Sequence, residues 1–337
     1  MKQKGKPIMG LLLGETAGIG PELTVKALNV NEVKAMATWV IIGDERVYKQ
    51  GQDIAGLTVP YKKIKSTEEI VYDEDVIWFI DLNNIDPNTI QLGTISEESG
   101  KATGETIKFA LGLASDKKLD GIVYAPINKE ALNKGGFKYK DELHFFADMF
   151  NCLEGFGEIN VMESLWVTRV TSHIPIKDVS AIVTKERVSK VIRFANANLL
   201  SAGFKNPKIA VCALNPHGGD GGLIGTEEIS QIIPAINEAK MQGINVEGPY
   251  PADTIFLRLK NDPFDCLLAM YHDQAQTGMK LLGFNKGVTV SGGLPVIIMT
   301  PAHGTAFDIV GKGVADPGAQ ISAMKLAVKM ALNKLQN

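Results

Sequence analysis

The sequence predicts a mostly parallel α/β fold, because short apolar runs alternate with longer amphipathic segments. Continuous apolar strands separated by helices are typical of a parallel sheet that helices cover on both faces. The chain has 337 residues, of which 45% are hydrophobic and 22% are charged, as in ordinary soluble globular proteins. This length suits one large domain or two of moderate size.

The elements follow in order from the hydrophobic pattern. A first strand at 8–13 leads through a glycine-rich turn to a helix at 21–29, since Pro21 suits the first helical position. A long helix is predicted at 101–115, and the charged region 60–75 is predicted to be an exposed surface element. Further apolar runs predict strands at 38–42, 76–80, 121–125, 164–171, 209–214, 266–270 and 294–300.

Composition excludes several classes of function. The net charge of -3 argues against a dedicated nucleic-acid binder, and no apolar stretch approaches the ~18 residues of a membrane span. The apolar run near the amino terminus is too short for a signal peptide. Cys152, Cys212 and Cys266 are widely spaced, which fits reduced thiols. We therefore expect a cytoplasmic protein without nucleic-acid or membrane partners.

Three of the five histidines follow predicted strands. His173 comes after 164–171, His217 after 209–214 and His272 after 266–270. Ligands of open α/β sheets bind beyond the carboxyl ends of strands, and imidazole is the commonest side-chain metal ligand. The pattern predicts that these histidines bind a divalent cation and leave positions open for substrate. For any one of them alone, the alternative is a hydrogen-bonded histidine at a strand end.

Other segments carry weaker signals. Asp253 is a candidate fourth ligand, a carboxylate that orients a histidine, or a helix N-cap. The glycine-rich segment 14–22 is suited to cradling an anion at a helix N-terminus, but it lacks dinucleotide-binding spacing, and a tight strand-to-helix turn is the alternative. The segment 303–313 combines His303, suited to stacking on a base, with Asp308, suited to binding ribose hydroxyls.

Taken together, these segments resemble the 4-hydroxythreonine-4-phosphate dehydrogenase family of pyridoxal phosphate synthesis, over nearly the whole chain. The segment that begins at His303 is also similar to the adenine-binding loop of isocitrate and isopropylmalate dehydrogenases. The matching segments are GETAGIGPE, PINKEAL, TSHIPI, LNPHGGDGG, GTEEI, GPYPADT, AMYHDQ and HGTA.

The resemblance implies two α/β/α domains around a cleft, as in isocitrate and isopropylmalate dehydrogenases. An NAD-side domain would comprise 1–127 and 281–337, and 128–280 would carry dimerisation, metal and substrate. It implies a homodimer with a shared active site, a metal on the three histidines and a substrate contact from Lys280. The family oxidises a secondary alcohol of a small hydroxy acid with NAD, and the resulting β-keto acid can lose carbon dioxide.

The physical chemistry agrees with this reaction. A cation bound to the hydroxyl lowers its pKa and favours hydride loss, and the same cation stabilises the enolate left by decarboxylation. Zn, Mg, Mn and Co all remain open, although nitrogen ligands favour Zn or Co. Lys280, Asp253 and Asp273 are the candidates for the catalytic base.

The resemblance places the cofactor on the loop that begins at His303. The expected cofactor-binding residues are His303, Gly304, Thr305, Ala306 and Asp308. A carboxylate beside the adenosine ribose would repel a 2′-phosphate, so we expect NAD and not NADP.

The expected substrate-binding residues depart from the family pattern. Glu142 and Leu143 replace a His-Thr pair, Thr289 replaces an asparagine and Ile298 replaces an arginine. Losing the arginine removes bidentate anion binding, and Glu142 adds like-charge repulsion against a phosphate. These changes favour a different substrate, such as a sugar acid or a carboxylated cis-dihydrodiol. The alternative is a shifted alignment in which His144 makes the contact.

Two other classes of function compete with a dehydrogenase. One is a metal-independent acyl or phosphoryl transferase of similar fold, and the other is a family member that binds ligand without catalysis. The three histidines and the loop at 303–306 favour NAD-linked oxidation over both.

Overall fold

The computed structural model of the chain describes residues 5–71, 76–259, 261–283 and 286–336. The chain divides into two compact units. Unit 1 comprises Met1–Gly157 and Asn285–Asn337, and unit 2 comprises Glu158–Phe284. The chain thus changes units near 157 and 284, whereas the sequence placed the changes at 127 and 281.

Within the described residues, unit 1 contributes seven strands, in the spatial order β3-β4-β2-β1-β5-β12-β11. The pairing of β11 with β12 is antiparallel, and the other described pairings in this unit are parallel. The strands are β1 (Ile8–Leu12), β2 (Thr38–Gly43), β3 (Tyr61–Ile64), β4 (Ile77–Asp81), β5 (Gly121–Tyr124), β11 (Val288–Gly292) and β12 (Ile297–Pro301).

Four helices of unit 1 begin after residues whose side chains satisfy a backbone N–H group of the first turn. Asp44, Ser96, Asn128 and Asp141 each accept a hydrogen bond from the first turn of the helix that follows. The helices are α1 (Gly20–Leu28), α2 (Asn31–Ala35), α3 (Glu45–Ala55), α4 (Glu97–Ser115), α5 (Lys129–Lys134), α6 (Glu142–Met149) and α12 (Gly318–Gln336).

Unit 2 contributes five strands, in the order β6-β7-β10-β8-β9. Only the pairing of β6 with β7 is antiparallel among those described in this unit. The strands are β6 (Gly157–Met162), β7 (Leu165–Arg169), β8 (Ile209–Cys212), β9 (Val246–Tyr250) and β10 (Cys266–Ala269). The helices are α7 (Val179–Ile182), α8 (Lys185–Ser201), α9 (Ile233–Met241), α10 (Ile255–Arg258) and α11 (His272–Leu282).

The predicted α/β class with mostly parallel strands is confirmed. The prediction for 60–75 is wrong in part, because β3 forms the edge of the unit 1 sheet and buries Ile64; residues 72–75 lie outside the described residues. An edge strand needs only one apolar side, so its exposed lysines hid the strand pattern. Within the described ranges, no helix is both long and apolar enough to cross a membrane.

Gly100 permits the close packing of α4 against α5. A Cβ atom at this position would overlap the backbone carbonyl of Ala131, whereas one at Gly112 of the same helix would meet nothing within 4 Å. We predict that Gly100→Ala lowers the free energy of unfolding by about 1–3 kcal/mol through overpacking. Gly112→Ala, the matched control, should raise it by about 0.5–1 kcal/mol through helix propensity. Denaturant unfolding of both variants measures the difference, and equal effects would contradict the packing argument.

Candidate functional site

Three neighbouring strands of unit 2 carry the histidines at the same edge of the sheet. Strand β10 pairs in parallel with β7 on one side and with β8 on the other. His173 follows β7, His272 begins the helix after β10, and His217 follows β8. Parallel neighbours end at the same edge, so the three histidine-bearing segments leave the sheet side by side.

His173 and His272 are neighbours. Their ring centroids are 5.7 Å apart, with an angle of 44° between the ring planes. His272 Nδ1 lies 2.7 Å from Asp273 Oδ1, so the Nε2 atom is the one available to a cation. A carboxylate hydrogen-bonded to the other ring nitrogen is the usual companion of a metal-binding histidine, since it fixes the tautomer and the ring orientation.

His217 lies on a left-handed turn. The backbone φ angle is positive at every residue from 217 to 222, with 53° at His217 and 45° at Asp220. L-residues disfavour this conformation, and it clusters at functional sites. Throughout the described ranges, no three His, Cys, Asp or Glu side chains are grouped so as to hold a metal ion. The donor set and the shared edge fit a divalent cation, with two of the three imidazoles already adjacent.

Buried polar side chains hold the segments that carry His173 and His272. Arg169, at the end of β7, is 7% exposed. Its guanidinium donates to Ser172 Oγ at 3.1 Å, Asn160 Oδ1 at 2.9 Å and Glu158 Oε1 at 2.9 Å. Asn160 Oδ1 also accepts from Gln276 of α11 at 2.7 Å. One buried cation thus links the segment before His173 to the helix that begins at His272.

Gln274 joins the ends of β8 and β10. Its Oε1 accepts from the backbone N–H of Met270 at 2.9 Å, and its Nε2 donates to the carbonyl of Ala213 at 2.9 Å. Thr171 Oγ1 donates to the carbonyl of Met270 at 2.8 Å, which ties in the end of β7. The two bonds from Gln274 satisfy a backbone N–H and a carbonyl at the strand ends, and the Thr171 hydroxyl reinforces the bond that its own backbone N–H makes to Met270.

The other predicted residues of unit 2 are exposed. Lys280 lies on α11 and Asp253 precedes α10, and both side chains are open to solvent. The N-cap of α10 is Thr254, so the N-cap interpretation of Asp253 is wrong. No described contact joins Asp253 to a histidine.

In unit 1, the glycine-rich turn and the predicted cofactor loop contact each other. The backbone N–H of Ile19 donates to the carbonyl of Thr305 at 3.2 Å, and a Cβ at Gly18 would lie 3.0 Å from Thr305 Cβ. Of the predicted cofactor residues, Gly304 and Asp308 are exposed, His303 and Ala306 are partly buried and Thr305 is buried. The predicted helix after the turn begins at Gly20, with Pro21 in its first turn. The loop therefore presents its ends to solvent while its middle packs on the turn.

Glu15 lies fully buried in this turn. Burial raises the pKa of its carboxyl, against hydrogen bonds from Ser99 and from the backbone of Ala17, which lower it. Among the residues that the structure describes, its Oε2 atom has no hydrogen-bond partner. The burial of Glu15 could not be predicted from the sequence, because a glutamate within a polar turn gives no sign of it.

The altered substrate positions also lie in unit 1. Glu142 Oε2 is 3.3 Å from Lys129 Nζ, so its negative charge is opposed by a neighbouring cation. Leu143 and Thr289 are partly buried. Ile298 is 1% exposed within the hydrophobic cluster of the unit 1 sheet. The substrate contact from Ile298 stays a prediction, and the structure places this side chain in the core of unit 1.

The His144 side chain contacts the residue that caps its own helix. Its Nδ1 lies 2.5 Å from Oδ1 of Asp141, the residue that caps α6, and its ring meets the Phe156 ring edge-on at 5.4 Å. This side chain thus has local partners that account for its position without a ligand.

We predict that Arg169→Met lowers the free energy of unfolding by about 2–3 kcal/mol, because it removes three charge-assisted hydrogen bonds and leaves buried acceptors. Arg193→Met is the matched control in the same unit, since Arg193 forms an exposed ion pair with Glu238 and such pairs contribute less than about 1 kcal/mol. Denaturant unfolding measures both. A loss at Arg169 no larger than at Arg193 would refute the structural role of the network.

Comparisons with known proteins agree with this fold. The family model described as "Pyridoxal phosphate biosynthetic protein PdxA" matches residues 35–327. A Pseudomonas aeruginosa protein that carries the name of a 4-hydroxythreonine-4-phosphate dehydrogenase is 41% identical over 99% of this chain and 100% of its own length. The D-threonate 4-phosphate dehydrogenase of Cupriavidus necator is 38% identical over 97% of this chain and 98% of its own.

A solved structure gives the same result. The crystal structure of a 4-hydroxythreonine-4-phosphate dehydrogenase from Burkholderia phymatum superposes with a TM-score of 0.82 and 38% identity. The superposition covers 96% of this chain and 98% of the other. The chain therefore belongs to the PdxA family of pyridoxal phosphate biosynthetic proteins.

Proposed function

We propose that this PdxA-type dehydrogenase oxidises the secondary alcohol of a small phosphorylated hydroxy acid, with NAD as hydride acceptor and a divalent cation as cofactor. The observation that carries the proposal is the edge of the unit 2 sheet, where three parallel neighbours are each followed by a histidine. The dehydrogenase names of the relatives favour this reaction over acyl or phosphoryl transfer.

We assign the cation to His173, His217 and His272. When bound there, a divalent cation would polarise the substrate hydroxyl and later the ketone formed from it. Asp273 bonds to His272 Nδ1, which favours a role in orienting the ring over a role as base. Lys280 remains the proposed substrate contact, and Lys280 and Asp253 remain the proposed acceptors of the hydroxyl proton.

In the proposed reaction, the carbon–hydrogen bond of the alcohol breaks and its hydride passes to NAD, while the hydroxyl proton passes to the base. Where the product is a β-keto acid, the bond to the carboxylate then breaks and releases carbon dioxide. A divalent cation held by the histidines would stabilise the enolate that this second step leaves, and the enolate then takes a proton at carbon.

We propose a four-carbon acid phosphorylated at C4 as the substrate, the chemistry that the names of both kinds of relative share. The ion pair between Glu142 and Lys129 supports this choice, because it offsets the repulsion that an unpaired glutamate would exert on a phosphate. The replacement of an arginine by Ile298 supports the second candidate, a non-phosphorylated hydroxy acid such as a sugar acid or a carboxylated cis-dihydrodiol.

A substrate screen separates these candidates. We expect NADH formation with 4-hydroxythreonine 4-phosphate or D-threonate 4-phosphate, and at least about tenfold lower kcat/KM with each dephosphorylated acid, since binding a charged group contributes about 1.4 kcal/mol or more. Equal turnover of the dephosphorylated acids would favour the second candidate. Turnover of no hydroxy acid, in protein shown to bind NAD and metal, would contradict the proposed reaction.

Metal removal tests the role of the histidines. We expect chelator-treated protein to lose NADH formation and to regain it with Zn²⁺, Co²⁺, Mn²⁺ or Mg²⁺, because the substrate oxygen then has its Lewis acid again. His272→Ala should bind less metal by elemental analysis, whereas the control His144→Ala, which lies outside the trio, should retain it. Full activity of metal-free protein would exclude the metal from the reaction.

We propose that Asp308 selects NAD over NADP. Its side chain is exposed at the predicted cofactor loop, where its charge would oppose a 2′-phosphate. Asp308→Ser should lower the ratio of kcat/KM for NAD to that for NADP by about tenfold, as steady-state kinetics with each cofactor measures. An unchanged ratio would place the discrimination elsewhere.

We further propose a cytoplasmic homodimer with a shared active site that acts in pyridoxine synthesis. The near full-length similarity to the family supports this assembly. Sedimentation analysis of the purified protein would reveal a monomer if the proposal is wrong.

A further inference from the structure

A buried carboxylate lies behind the turn that carries His217. Glu228 is 1% exposed. Its Oε1 accepts from the backbone N–H groups of Leu214 and Asn215, each at 2.8 Å, and its Oε2 accepts from Asn215 Nδ2 at 2.9 Å. Glu228 thus binds the chain at the point where it leaves β8 and enters the left-handed turn.

The surrounding backbone is shaped around this carboxylate. A Cβ at Gly219 would lie 2.9 Å from Glu228 Oε2, so the turn passes directly over the carboxylate. Glu228 also begins a π-helical turn, Glu228–Ile232, and such turns are rare and occur often at functional sites. The backbone N–H of Ile224 donates to the carbonyl of Gly219 at 3.2 Å and closes the loop.

The left-handed turn needs such an anchor. His217 and Asp220 are L-residues at positive φ, a conformation that costs free energy unless the surroundings hold it. Two backbone N–H groups and one side-chain amide converge on one buried carboxylate, and hydrogen bonds to a charged acceptor are the strong ones. Those three bonds hold the start of the turn.

We infer that Glu228 is a positioning residue for His217 and sets the affinity of the site for its cation. The inference rests on the proposed assignment of the cation to the three histidines. Glu228 itself bonds to backbone and to Asn215 and acts through them. Glu227 is a weaker candidate, because it reaches the turn only through Asn215 Nδ2 and otherwise bonds to Ser180.

Glu228→Gln gives the most selective test. The variant keeps an oxygen that accepts from both backbone N–H groups, which favours folding, but it places an amide donor against the amide donor of Asn215. Glu238→Gln is the matched control, since Glu238 forms exposed ion pairs on α9 of the same unit. Co²⁺ is the probe, because its visible absorption reports the ligands around it.

We expect Glu228→Gln to raise the Kd for Co²⁺ by about 10–100-fold, the usual effect of losing a residue that orients a ligand, and to alter the Co²⁺ absorption band. The Kd for NAD should stay within about twofold of wild type, which a general loss of folding would not allow. Glu238→Gln should match wild type in all three measurements.

The outcomes separate this inference from the proposed function. Tight Co²⁺ binding by wild type together with the same affinity and absorption in Glu228→Gln overturns the positioning role alone. A wild-type protein that takes up no Co²⁺, or whose uptake survives His173→Ala and His272→Ala unchanged, overturns the proposed metal site and this inference with it.

Discussion

Parallel hydrogen bonding between β10 and its two neighbours is the constraint that brings the three histidines to the same edge of the unit 2 sheet. The register pairs Ala269 with Arg169 on one side and Leu268 with Val211 on the other. If either neighbour ran antiparallel, its histidine would leave the sheet at the opposite edge, a strand length away. The histidines share an edge because their strands share a direction, although long stretches of sequence separate them.

The direction of the strands does not by itself fix the orientation of the imidazoles. The segment that carries each imidazole must also leave its strand at a defined angle. Buried polar side chains supply this control: Arg169 beside the segment of His173, Gln274 between two strand ends and Glu228 behind the turn of His217. Each satisfies groups that would otherwise be buried without a partner, so each deletion leaves an unpaired donor or acceptor. The edge is therefore held by polar networks, which specify angles more closely than apolar packing does.

The sequence predicted those parts of the fold that depend on local pattern. The apolar runs at 38–42 and 266–270 became β2 and β10, because strands buried on both faces must be apolar throughout. The edge strand β3 was missed, since Lys62 and Lys63 face solvent. The left-handed turn at 217–222 was beyond prediction, because it depends on a carboxylate eleven residues further along the chain.

The charge of the candidate substrate region also could not be predicted from local sequence pattern. From the sequence, Glu142 was interpreted as an acid that faces the substrate, because the sequence alone shows no partner for its charge. The fold brings Lys129 to it, because α5 and α6 both pack near α4. The ion pair offsets the negative charge of Glu142, and the Lys129 side chain stays exposed beside it. This pairing could not be predicted from Glu142 alone, because the partner lies on another helix.

The two units of the chain carry different groups of the predicted site residues. The positions that depart from the family pattern, Glu142, Leu143, Thr289 and Ile298, all belong to unit 1, and the three histidines with their supporting bonds belong to unit 2. The hydrogen bonds described for the histidine segments join residues of unit 2 to one another, so a substitution at one of the four positions of unit 1 removes none of them. Ile298 packs in the core of unit 1, whereas Arg169, Gln274 and Glu228 form their described hydrogen bonds within unit 2. Changes at the predicted substrate positions of unit 1 therefore leave the hydrogen bonds that support the predicted metal site in place.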